Sequence, residues 1–337
     1  MVYRFKLNAP FKTLLISILF CLIGLTSCKR EVALPPPPKS LMTNSLFNVF
    51  FVDMKRGWAV GKLGKIVYTD DGGEAWEGQD SITDYNLMGI FFLNDQEGWV
   101  VGDRGTILHT TNGGHLWSSQ VSGTEHHLRD VFFLDSKQGW IVGEQGLVLS
   151  TEDGGYQWKE RTDLNKLFTV EESDFFASLF GIYFINTQNG WIVGDYGIIL
   201  HTINDGQTWE KQKSNTSALL MDVVFVDSLN GWVVGESGTI LHTVDGGKIW
   251  EIQNSGISYL LNGVTFEEEH GWIVGYGTIL HTVDGGKHWN VQVKDKKMWL
   301  YGIDSVDKES IWVTCDFGEI LHRNNRIKNW IIQLPWE

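Results

Sequence analysis

The chain has 337 residues, with 27 Lys and Arg against 41 Asp and Glu, a formal net charge of −14, 38 glycines and 16 tryptophans. This acidic balance argues against a nucleic-acid partner and against binding to anionic headgroups through protein charge, because both repel it. The three cysteines, Cys21, Cys28 and Cys315, do not make a disulfide framework.

The amino terminus reads as an export signal rather than as part of a fold. Arg4, Lys6 and Lys12 precede the apolar run TLLISILFCLIGL at 13–25, too short and too early for an ordinary spanning helix. It ends in Leu25-Thr26-Ser27-Cys28, which looks like a bacterial lipobox. Residues 1–27 are therefore expected to be removed and Cys28 lipidated, which anchors the protein to the cell envelope, outer membrane first among the choices, without spanning it. The signal holds three basic and no acidic residues, so the remainder carries −17. Residues 28–45 contain four consecutive prolines, an extended spacer.

From residue 46 to 337 one unit recurs seven times. A GW pair places tryptophans at 58, 99, 140, 191, 232 and 272, and Trp312 marks a seventh unit in SIWV. The spacings are 41, 41, 51, 41, 40 and 40 residues. Each unit reads as four short strands, exemplified by VVFVD, GWVV, TILHT and WEIQ, rich in β-branched and aromatic residues and bounded by Gly, Asp and Asn. A period near 40 with four strands per unit predicts an all-β fold, a seven-bladed β-propeller of four-stranded antiparallel blades. A solenoid would need distinct caps, and the first unit is as regular as the middle ones. How the ring closes is not readable from the chain.

The turn between third and fourth strands follows T-x-[DN]-x-G-x-x-W, with Asp71, Asn112, Asp153, Asn204, Asp245 and Asp284 at the Asp/Asn position. The last unit keeps only Asn325 and Trp330. Asp and Asn alternate here, which suits a turn brace that accepts amide hydrogen bonds and does not suit a catalytic carboxylate. His109, His201, His242, His281 and His322 share one strand position with Tyr68 and Ser150, so they spread around a ring instead of converging on a metal. His126-His127 lies outside the repeat and reads as a solvated loop pair. Cys315 reads as a small packing residue. No phosphate loop, CxxC pair or HExxH helix occurs, and no cofactor or metal is expected.

T-x-D-x-G-x-x-W resembles the Asp-box, or BNR, repeat, and the longer DxxxGWxVGxxGxILHTxDGGxxW unit resembles the photosystem II stability/assembly factor family across about residues 46–337. The resemblance implies a propeller that acts as an assembly factor, binding a photosystem subunit precursor through a basic patch. This chain has no evident arginine cluster (Arg56, Arg104, Arg129, Arg161, Arg323 and Arg326), so a different client is expected. Asp-box propellers also occur in glycosidases, which need two carboxylates at a defined separation. Glycan binding or hydrolysis is thus the alternative to a non-catalytic, protein-binding role.

Strand alternation puts the Asp-boxes and the turns before GW on one face, the box face. The second-to-third strand turns and the blade connections fall on the other, the variable face, where binding diversity resides. Its VGxxG turns carry Asp103-Arg104, Glu144-Gln145, Asp195-Tyr196, Glu236-Ser237 and Asp316-Phe317. A ring of Asp103, Glu144, Asp195, Glu236 and Asp316 suits a basic segment of an envelope or membrane protein, with Arg104 and Tyr196 beside it. A connection about ten residues longer than its counterparts, between the third and fourth units, offers Phe168, Phe175, Phe176 and Phe180 as a second candidate contact. The protein is expected to be a monomer.

Overall fold

The computed structural model describes residues 45–168, 177–324 and 329–333. Cys28, the signal, the proline spacer, Phe175, Phe176 and Asn325 lie outside the described residues. The first five units each form a separate four-stranded antiparallel sheet in sequential order. The fifth is typical, with strands Leu220–Phe225, Gly231–Gly235, Ile240–Thr243 and Glu251–Gln253.

The last two units pair as one six-stranded sheet. In the sixth, the VGxxG turn is one residue short, and the second and third strands run on as His270–Thr282. Asn290–Ser305 likewise carries the fourth strand of the sixth unit and the first of the seventh. It pairs at His281↔Asn290 on one side and at Ser305↔Ile311 on the other. Each unit therefore keeps four strand segments.

Seven apolar clusters hold the blades together, one at each successive interface. The seventh joins Leu46, Val49, Phe51 and Trp76 of blade 1 to Trp312 and Ile320 of blade 7. Seven interfaces in a ring make seven blades. Among the described residues the ring closes through side chains with no exchanged strand: the first strand pairs within blade 1 and the last, Ile331–Gln333, pairs within blade 7.

The interface follows from the repeat. In blade 4, Trp191 is fully buried, stacked 3.5 Å from Phe225 of the next blade and 4.6 Å from its own blade's His201. Such ring pairs add about 0.5–1.5 kcal/mol to the burial of their area. Phe225 then meets Trp250 edge-on at 5.9 Å. The glycine before each GW tryptophan is a steric requirement: a Cβ on Gly231 would lie 2.4 Å from the Phe225 ring.

The Asp-box is the turn brace expected from the sequence. The Thr243 hydroxyl donates to Asp245 Oδ1 at 2.9 Å and accepts from Gly247 N–H at 2.8 Å, while Ile249 N–H donates to Asp245 Oδ1 at 3.0 Å. Asn112 and Asn204 accept in the same geometry. The box also ties to the turn before GW, as where Gly246 N–H donates to Leu229 O at 2.9 Å, so both share one face.

Candidate functional site at the channel and its mouth

The first strands of the blades line a central channel of about 490 Å³. A simple period of two would send every second residue inward. A bulge between the first and third positions, for example Leu46/Asn48 and Leu220/Asp222, changes that parity. Positions two, three and five then face the channel, while one, four and six pack between blades, as the burial of Leu46, Val49 and Phe51 in LFNVFF shows.

Three tiers result. The tier nearest the variable face holds Phe47, Met88, Arg129, Phe180, Met221, Asn262 and Tyr301. At the waist Asn48, Asp130 and Asp222 alternate with glycine. The third tier runs Phe50, Phe91, Phe132, Tyr183, Val224, Thr265 and Asp304. Its aromatic members touch in sequence, with centroids at 5.2, 4.8 and 5.9 Å. In this third tier the channel is thus aromatic on blades 1–4, while the carboxylates of all tiers fall on blades 3, 5 and 7.

Asp130, Asp222 and Asp304 each bridge to the next blade. Ile182 N–H donates to Asp130 at 3.0 Å, Val264 N–H to Asp222 at 2.9 Å and Phe51 N–H to Asp304 at 2.6 Å. Each also accepts from the residue that follows it. Burial, with Asp222 nearby, pushes Asp130 up to about 7. Burial pushes Asp222 up to about 6, and burial with Glu267 nearby pushes Asp304 up to about 7. Tyr183 is pushed up to about 12 by burial and by Glu267, Asp304 and Asp222. These carboxylates escaped sequence reasoning, although aligning the seven first strands exposes the Asn/Gly/Asp alternation that contains two of them.

The variable face is built as the strand alternation implies. Each VGxxG turn places its second variable residue in the left-handed region, at φ 54–58° for Leu63, Arg104, Gln145, Tyr196 and Ser237, and the turn bonds to a blade connection, as Gly105 N–H does to His126 O at 2.9 Å. Four of the five ring carboxylates are half-buried and have local partners. Asp103 accepts from Asn86 Nδ2 at 2.8 Å and lies 2.8 Å from His127 Nδ1. His127 thus sits against Asp103 while its neighbour His126 is exposed. Glu144 pairs with Arg129. Asp195 accepts from Ser178 N–H at 3.0 Å, and Asp316 from Trp299 N–H at 3.2 Å. Burial raises Asp316 to about 6. Glu236 is the exposed member.

Arg104 lies 5.5 Å over the Tyr85 ring, and Tyr196 is 57% exposed. Phe168 ends the short helix Asn165–Phe168. The described base of the long connection belongs to the core: Leu164 and Ala177 are buried in the cluster between blades 3 and 4.

An aromatic run missed at the level of sequence crosses this face toward the mouth. Tyr259, Tyr276, Trp299, Tyr301 and Phe47 follow one another at centroid distances of 5.6, 4.6, 6.5 and 5.2 Å. Trp299 is 42% exposed. The box face is not bare either: Ile203, Val244, Ile249 and Val283, on blades 4 to 6, are exposed there. Among the described residues no group of three or more His, Cys, Asp and Glu could hold a metal ion, and no helix is long and apolar enough to cross a membrane.

Repeated boxes bracing a closed ring of antiparallel blades define an Asp-box β-propeller. The family model described as photosynthesis system II assembly factor YCF48 matches residues 38–123, 119–216 and 208–335, and the chain belongs to that family. Solved structures agree on the fold. YCF48 from Cyanidioschyzon merolae is 23% identical with a TM-score of 0.70, covering 86% of this chain and 98% of its own. A structure of YCF48 bound to D1 peptide is 23% identical with a TM-score of 0.67, covering 84% and 92%. The GH74 xyloglucanase from Xanthomonas campestris is 10% identical with a TM-score of 0.69, and the match covers 84% of this chain but 52% of the enzyme. No functionally curated protein matches the chain.

Proposed function

We propose that this chain is a non-catalytic protein-binding scaffold that holds a client segment against its variable face. The observation that carries the reading is the aromatic run from Tyr259 to Phe47, which ends at the channel mouth with Trp299 exposed. Aromatic residues of this kind are enriched where proteins meet. Membership of an assembly-factor family supports it, as does a family structure bound to a peptide. The client is an envelope or membrane protein, and the acidic chain, with Glu236 exposed, suits a basic segment of it. Lipid on Cys28 tethers the monomeric propeller to the envelope, at the outer membrane, on the 28–45 spacer.

The glycan alternative has one observation in its favour, three protonatable carboxylates in a channel. Each of them already bridges two backbone N–H groups, which is a structural use.

A photo-crosslinking residue at Trp299 or Tyr196, in intact cells, tests the reading. A single protein captured from these sites and not from Tyr156 on the box face is the expected result. Capture of glycan alone, or equal capture from both faces, overturns it. Labelling with a fatty-acid analogue tests the anchor separately: Cys28→Ser should abolish label and membrane fractionation together.

A further inference from the structure

We propose that the central channel is a binding site for an organic cation, a primary ammonium or guanidinium on an apolar stem. The stem lies against Phe50, Phe91 and Phe132, and the charge lies among Asp130, Asp222 and Asp304. This goes beyond the scaffold reading, which concerns the outer surface.

Three observations converge. The space, about 490 Å³, falls in the range of small-ligand sites. One wall is a contiguous aromatic arc, whose ring faces attract cations and pack on methylenes. The carboxylates stand on blades 3, 5 and 7, Asp130 on the same strand as Phe132 and Asp304 on the blade next to Phe50, and among the described residues no cation is set against them. Arg129 is the single Lys, Arg or His among the described lining residues, and it pairs outward with Glu144 at the upper tier. Asp222, Asp304 and Glu267 all act on the Tyr183 hydroxyl, so their fields overlap in one small volume. The carboxylates use one lone pair per oxygen on backbone N–H groups, which leaves acceptor capacity toward the channel. A cation entering there exchanges water for aromatic faces and charge-assisted hydrogen bonds. Glycines at the waist, Gly263 and Gly302, and the small residues Val224 and Thr265 keep the space open.

The same chemistry can come from a free amine or from a client's Lys or Arg side chain, and the two sources separate in one experiment. The intact soluble propeller is titrated calorimetrically with n-hexylammonium, with n-hexanol, and with a short peptide carrying one lysine or its Nε-acetyl form. Hexylammonium should bind at least tenfold more tightly than hexanol. Peptide binding that is lost on acetylation assigns the site to a client side chain; binding of the free amine without the peptide assigns it to a small solute.

Two folded variants guard the test. Asp222→Asn keeps an oxygen acceptor for Val223 N–H, as Asn48 does for Val49 N–H at the same position of blade 1, and should weaken ammonium binding tenfold or more. Val224→Phe places in blade 5 the residue blades 1–3 already carry at that position, and should abolish binding by filling the channel. Equal affinity for hexanol and hexylammonium, no binding of either, or unchanged binding in Asp222→Asn would overturn the proposal. Loss of crosslinking at Trp299 would leave these outcomes untouched, so the two readings fail separately.

Discussion

Thr243 and Asp245 show how narrowly one position can be constrained while its neighbour varies. The Thr243 hydroxyl serves both Gly247 N–H and Asp245, and it is buried. Thr243→Val strands a buried donor and should cost ~1–3 kcal/mol in a urea unfolding measurement. Asp245→Asn should shift the midpoint far less, because Asn112 and Asn204 already make the same bonds.

The histidines behave as aromatic partners, not as ligands. Stacked on tryptophan, His201, His281 and His322 are pushed down to about 4, chiefly by burial. Below the unfolded value near 6.5 the unfolded chain binds more protons, so their contribution to stability is lost as pH falls from 6.5 toward 4. His201→Tyr, the residue blade 1 uses, should melt progressively higher relative to the parent over that range.

The channel aspartates have the opposite sign. With Asp304 raised to about 7, the folded state binds more protons between 4 and 7, and stability is lost as pH rises through that window. Asp304→Asn should therefore gain on the parent in melting temperature from pH 4 to pH 7.

At the scale of the blade interface, the motif contains a latch that its glycines and tryptophans overshadow. Gln212 Nε2 donates to Gly246 O at 2.8 Å and its Oε1 accepts from Trp250 Nε1 at 3.1 Å. Gln79, Gln120 and Gln253 accept from the next blade's box tryptophan in the same way. W-x-x-Q was visible in the sequence as a recurrence, but nothing in it says that the glutamine reaches across to another blade.

Two junctions depart from the pattern, and each has an arginine over the ring of a buried tryptophan. Blade 3 has Ser150 in the histidine position and Arg161 in the latch position, and Arg161 lies 5.5 Å over Trp140 and donates to Gly206 O at 2.7 Å. Between blades 6 and 7, Ser305 replaces the stacking phenylalanine, and Arg323 lies 4.8 Å over Trp272. Phe225→Ala should cost ~3–5 kcal/mol by chemical denaturation, as for other buried aromatics. Gln212→Ala should cost less, ~1–3 kcal/mol.

For the molecule as a whole, stability rests on closing a ring that, among the described residues, shares no strand between its ends. Trp312 stacks 3.7 Å from Phe51, its Nε1 donates to Gly72 O at 3.0 Å, and Trp76 Nε1 reaches Gln333 at 3.3 Å. The Phe51 N–H to Asp304 bond completes the seam. Trp312→Ala removes the centre of this interface, and hydrogen exchange should then accelerate in blades 1 and 7 before it does in blades 3 to 5. Uniform acceleration around the ring would mean that the seam is no weaker than the other interfaces.

By itself the sequence determined the repeat, and with it the blade, the box and the two faces. Those are set by local chemistry: a turn needs its Thr, Asp and Gly at fixed offsets, and seven copies make the offsets unmistakable. It also showed Asp103, Glu144, Asp195, Glu236 and Asp316 as a periodic set. Only the tertiary structure decided that four of them are occupied by their own neighbours, and that the channel holds a second acidic set.

The physical reason is the bulge at the head of each first strand. It changes the parity of the residues that follow, so that Asn48 and Phe50 face the channel where plain alternation from Leu46 would turn them into the blade interface. Ring closure had the same character. Phe51 and Trp312 are 261 residues apart in the chain and 3.7 Å apart in space, and no local pattern joins them until seven blades have turned full circle.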